Sequence, residues 1–106
     1  ETDRFINRKH YHIDKQTVVI LEGVLLFRNP VNSYFNKKVY LDITFDTLLK
    51  RAEVRDVPKY GEQFLEKYKH KYIPAQKEYI SKWDPISNSD IVIDNNDYNR
   101  PFITQR

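Results

Sequence analysis

Three short apolar runs constrain this chain most: Thr17 to Leu21 (TVVIL), Val39 to Phe45 (VYLDITF) and Asp90 to Ile93 (DIVI). Each is rich in β-branched residues, too short for a buried helix, and nearly continuous rather than alternating. That is the pattern of a strand covered on both faces, as strands are in a parallel sheet. Between the runs lie segments of helical spacing. Asn29-Pro30 offers a cap and a first helical position ahead of Val31, Tyr34 and Phe35. Asp46 is the expected cap of a second helix, in which Leu48, Leu49 and Ala52 recur until Val57-Pro58. A third helix is predicted from about Glu62, with Phe64, Leu65, Tyr68, Tyr72, Tyr79, Ile80 and Trp83 on an aromatic-rich face. Pro74 should kink or divide it, and Asp84-Pro85 with Ser87 to Ser89 should stop it. Residues 1–16 read as an extended lead-in with at most a short edge strand, and residues 94–106 as polar and irregular. The order β-α-β-α-α-β predicts an α/β fold, a parallel β-sheet with flanking helices.

Composition removes several classes of function. The 106 residues suffice for one domain with a modest core. Only Gly23 and Gly61 are available, so no glycine-rich phosphate loop can be written. Without Cys there is no disulfide, thiolate nucleophile or zinc knuckle, and His10, His12 and His70 make a poor metal set. A net charge of +3 falls short of the clustered excess of a nucleic-acid binder. The longest apolar stretch is interrupted at Glu22-Gly23 and is far below the roughly 20 residues of a membrane span. With no signal-peptide pattern at the N-terminus, a cytoplasmic protein is expected.

Ligands of open α/β sheets bind beyond the carboxyl ends of the strands, which directs attention to Glu22-Gly23, Thr44 to Asp46, and Asp94-Asn95-Asn96. A carboxylate leaving a buried strand needs a partner: a hydrated Mg²⁺ or substrate hydroxyl suits Glu22, and so do the backbone N–H groups of a following turn. Arg51 and Arg55 are four apart and share one helix face. They suit a bidentate phosphate clamp, although cations near a helix C-terminus are favoured by the dipole alone, which is the stronger reading of spacing by itself. The interleaved Tyr and Lys of Lys67 to Lys77 allow nucleic-acid stacking, but their helical spacing favours a packed seam with a basic outer face.

Taken in order, TVVILEGVLLF (17–27), KVYLDI (38–43), LKRAEVRDVPKYG (49–61), YKHKYIP (68–74) and SDIVI (89–93) resemble the C-terminal half of uridine kinases. These are P-loop nucleoside kinases related to phosphoribulokinase and pantothenate kinase. The resemblance implies a partial P-loop kinase fold lacking the Walker A strand, loop and helix, with a lid at about residues 55–61. It implies an ATP-dependent phosphotransferase acting on a nucleoside or similar small hydroxyl acceptor, with these 106 residues inactive alone. It assigns Glu22 to Mg²⁺, Arg51 and Arg55 to the phosphates, and Asp94, Asn95 and Asn96 to the ATP base. Departures are visible: the family's R-D-x-x-x-R-G-R becomes Arg55-Asp56 followed by Tyr60-Gly61-Glu62, Lys67 replaces a glutamine, and residues 1–8 do not match the nucleoside-recognition loop. In the family the Walker A strand lies between the strand ending at Glu22 and the strand Val39 to Ile43. The resemblance therefore implies an empty slot, to be filled by a missing N-terminal half or by a second subunit. The alternative is a noncatalytic assembly or binding module that keeps the half-fold.

Overall fold

A computed structural model describes residues 8–106. It is a mixed α/β structure with an open sheet of three strands in the order β1-β2-β3. The strands are β1 (Val39–Asp42), β2 (Ile91–Asp94) and β3 (Phe102–Gln105). Between β1 and β2 run α1 (Phe45–Arg55), α2 (Val57–Tyr60), α3 (Gln63–Lys67), a π-helical turn (Tyr68–Tyr72) and α4 (Ile73–Trp83). A 3₁₀ turn, Val31–Tyr34, precedes β1 where the first helix was expected.

The crossover from β1 to β2 is parallel, with Val39 opposite Ile91 and Asp42 opposite Asp94. Side chains and backbone pin that register at both ends. At one end Asp90 Oδ2 accepts the Lys38 N–H at 2.8 Å, while the Lys38 carbonyl accepts the Asp90 N–H at 2.9 Å. At the other end the Asn95 N–H donates to the Asp42 carbonyl at 3.0 Å.

Three sequence expectations are corrected. Residues 94–106 are not wholly irregular, because β3 pairs antiparallel with β2 and makes the sheet mixed. Its β-branched Ile103-Thr104 pair is too short a pattern to announce a strand, and Val92 against Gln105 beside Ile93 against Ile103 leaves Thr104 as a bulge. The second helix is capped by Thr44, whose Oγ1 accepts the Thr47 N–H at 3.1 Å, and Asp46 lies in its first turn. The largest correction concerns Thr17 to Leu21, which forms no strand. Its side chains lie in solvent, Val18 at 84% and Ile20 at 89% exposure. A strand buried on both faces needs hydrogen-bonded neighbours, and among the described residues none reaches this run.

Proline placement explains the helical segments. Pro58 does not end the helical region but sits in the first turn of α2, where its missing N–H costs nothing. Pro74 occupies the same place in α4, and the division expected there falls just upstream, where the Ile73 N–H reaches back five residues to Tyr68 in the π-turn. Asp84 closes α4 in the left-handed region at φ 46°, which Asp tolerates better than most residues. The core is thin: Ala52, Ile73, Tyr79, Pro85 and Val92 are buried. The radius of gyration, 16.4 Å, exceeds the about 13 Å of a compact domain this long. Among the described residues no helix is long and apolar enough to cross a membrane.

Candidate functional site

The carboxyl ends of β1 and β2 carry a polar cluster. Asp42 and Asp94 end the two strands in register. Asp94 Oδ1 accepts both the backbone and side-chain N–H of Asn96 at 3.0 Å, turning the chain sharply after β2. The Asn96 side chain then accepts the Thr44 N–H at 2.9 Å, which joins the loop after β2 to the entry of α1. Burial beside a second carboxylate pushes the Asp42 carboxyl above its usual range, with desolvation the larger cause and Asp94 the smaller.

Two turns into α1, Arg51 reaches this same loop. Its Nη2 donates to the carbonyl of Asn95 and, at 3.0 Å, to that of Asn96. The guanidinium carbon lies 3.7 Å from the centroid of the Tyr98 ring, a cation–π contact. A guanidinium has five N–H donors. Among the described residues only Nη2 of Arg51 donates to a protein acceptor. Tyr98 remains 65% exposed, so the cluster presents an aromatic surface next to free cationic donors.

Arg55 belongs to a different group. Its Nε and Nη2 donate to the two carboxylate oxygens of Asp56 at 3.0 and 2.9 Å. Nη2 also donates to the Tyr68 hydroxyl, which in turn donates to Asp56 Oδ2, both at 3.1 Å. Asp56 is only 8% exposed. The Arg55 hydrogen bonds hold its carboxyl below the usual range against the opposing effect of desolvation. Burial and the bond to Asp56 push the Tyr68 hydroxyl up. The trio fastens the end of α1 to the π-turn.

The structure thus unites Arg51 with Asp94, Asn95 and Asn96, which spacing alone left as separate candidates. It does not unite Arg51 with Arg55: the two leave one helix face but engage different partners. Glu22 is in neither group, being exposed within the unpaired N-terminal stretch. Among the described residues no three His, Asp or Glu side chains gather to hold a metal. Glu22 is a single carboxylate, and Mg²⁺ at phosphoryl-transfer sites is held by one or two carboxylates together with substrate phosphates and water. The sequence does not foretell the stacking of Tyr98 or the bond of Tyr68 to Asp56, because no local pattern announces contacts between residues so far apart in the chain. A hollow of about 300 Å³, lined by Asp46, Leu49, Lys50, Glu53, Leu65 and Lys69, lies outside both clusters. Its lining is mixed in charge.

Comparison with protein-family models, with curated proteins and with solved structures finds no match.

Proposed function

We propose that this chain contributes the lid and the base-side loop of an ATP-dependent phosphotransferase of the uridine kinase kind, acting on a nucleoside or similar small hydroxyl acceptor. The observation that carries the reading is the convergence of Arg51 and the 94–98 loop at the carboxyl ends of the parallel strands, where ligands of such sheets bind. The ordered sequence resemblance supports it independently.

In this reading the exposed surface of Tyr98 takes a planar base, and Arg51 holds the loop while turning its remaining donors toward anionic oxygen. Phosphoryl transfer relies mostly on positioning and on neutralising charge, which suits an arginine whose Nη2 is tied to the loop while its other nitrogens bond no protein acceptor among the described residues. Arg55 would join the phosphates only by leaving Asp56 and Tyr68, an exchange of one anionic partner for another that would accompany lid movement. A phosphate loop is not among these residues, and no step through the metal is assigned. The test is calorimetric titration of the full gene product with MgATP. Saturable binding that Arg51→Ala weakens at least about tenfold, about 1.4 kcal/mol, is expected. Absence of nucleotide binding would overturn the reading.

A further inference from the structure

We propose that Asp56 and Tyr68 are positioning residues for nucleotide binding: they hold Arg55 withdrawn until the triphosphate takes over its hydrogen bonds. The inference rests on the phosphotransfer reading and adds how that reading's phosphate clamp is kept in reserve. Arg55 lies one turn beyond Arg51 on the same face of α1, yet its Nε and Nη2 both end on Asp56. The Arg55 hydrogen bonds hold the Asp56 carboxyl below the usual range, so it is ionised at neutral pH. The resting state of Arg55 is therefore the paired one.

The two partners are unequal. The Arg55 side chain is 59% exposed and the Asp56 side chain 12%. A guanidinium already mostly in water loses little on leaving, whereas a buried carboxylate left alone is costly. Tyr68 offsets that cost. Its hydroxyl donates to Asp56 Oδ2 at 3.1 Å, a bond that does not depend on Arg55, and Lys59 adds a favourable charge nearby.

A phosphate replaces Asp56 in kind, since its oxygens accept parallel N–H bonds from one guanidinium. Among the described residues Nη1 of Arg55 bonds no protein acceptor, so an incoming phosphate oxygen finds a donor before Nε and Nη2 let go. Asp56 also stands at the junction of α1 and α2, and Gly61, at φ 91°, ends α2. The exchange of partners thus falls at one end of the segment that would close as a lid.

Calorimetric titration of the full gene product with MgATP tests the proposal, because a positioning role and a merely structural one predict different signs. Asp56→Asn removes the charge that retains Arg55. It should tighten MgATP about fivefold, since apparent affinity follows the fraction of molecules with Arg55 free. Tyr68→Phe strips Asp56 of its remaining partner when Arg55 departs, and should weaken MgATP about threefold. In the Arg55→Ala background both effects should vanish, because each acts through Arg55. Circular dichroism melts establish that each variant is folded, and if Asp56→Asn is not, the cycle of Tyr68→Phe with Arg55→Ala decides alone. Asp56→Asn that fails to tighten MgATP, Tyr68→Phe that fails to weaken it, or either effect persisting without Arg55 would overturn the proposal and leave the phosphotransfer reading standing. A wild-type protein that binds no MgATP overturns both.

Discussion

Arg51 and Tyr98 are stacked, guanidinium over ring at 3.7 Å, although 47 positions separate them in the chain. Together with the bonds from Arg51 to the Asn95 and Asn96 carbonyls, this contact makes α1 the support of the loop after β2. The loop owes its shape to a side chain from another element as much as to its own turns.

Replacing Arg51 by Ala should therefore destabilise the protein by about 2 kcal/mol, from the lost charged hydrogen bonds and the cation–π contact. Lys at this position keeps the charge but loses the planar fork, and should recover less than half. Urea denaturation measures the loss, and amide exchange across residues 95–98 should accelerate in both variants. Unchanged exchange there would show that the loop stands without Arg51.

The Asp56 group should make stability depend on acidity. Its carboxyl is held below its unfolded value by Arg55 and Tyr68, so its contribution is complete above the ordinary carboxylate range, about pH 4, and is lost as pH falls through the lowered folded value. Asp56→Asn should flatten that part of the stability profile while lowering stability at neutral pH. Thermal melts between pH 2 and 7 in wild type and variant provide the comparison.

Asp42 behaves in the opposite sense. Its folded carboxyl titrates above its unfolded value, so its contribution is favourable in acid and is lost as pH rises through the raised value. Asp42→Asn should then raise the melting temperature at pH 7 and leave it nearly unchanged at acidic pH. A lower melting temperature at pH 7 would mean that the Asp42 charge is stabilised by a partner.

Tyr79→Phe should cost about 1 kcal/mol, the net worth of one hydrogen bond, because the Phe27 N–H loses its acceptor. The ring itself stays buried, so the helix should be retained. Faster amide exchange at Phe27, with little change at β2, would confirm that the hydroxyl ties the N-terminal stretch to α4.

Gly61 adopts φ +91°, and a Cβ there would fall 2.9 Å from the Gln63 side-chain oxygen. Gly61→Ala should destabilise by about 1 kcal/mol or more, chiefly through the backbone, since the glutamine can swing aside. Chemical denaturation gives the difference, and an equally stable variant would mean the α2–α3 connection relaxes freely.

Much of the helical layout was legible in the sequence because its signals are local. The aromatic spacing from Phe64 to Trp83, the proline positions and the Asp84-Pro85 stop depend on neighbours within a turn or two. The apolar run at 90–93 is likewise a strand, Ile91–Asp94. The run at 17–21 carries the same signal and forms none, because periodicity reports what a segment can bury and not whether a neighbour is there to bury it. The arginine pair shows a related limit. Helix geometry correctly places Arg51 and Arg55 on one face, but each side chain is long enough to choose its own acceptor. The antiparallel strand β3 was illegible because a β-branched pair gains strand character only from the edge it meets.

The π-turn at Tyr68–Tyr72 sets the rotational phase of α4 relative to α3. Tyr60, Phe64, Tyr68 and Tyr72 form a ladder of rings with centroids 5.0 to 5.3 Å apart, while Ile73 and Tyr79 are buried. One residue more or fewer between ladder and core would turn α4 by about 100° about its axis, carrying Ile73 and Tyr79 out of the core. The exposed residues Lys69, His70 and Lys71 are thus free to vary in kind but not in number, and spacing is all that the fold demands of this part of its surface.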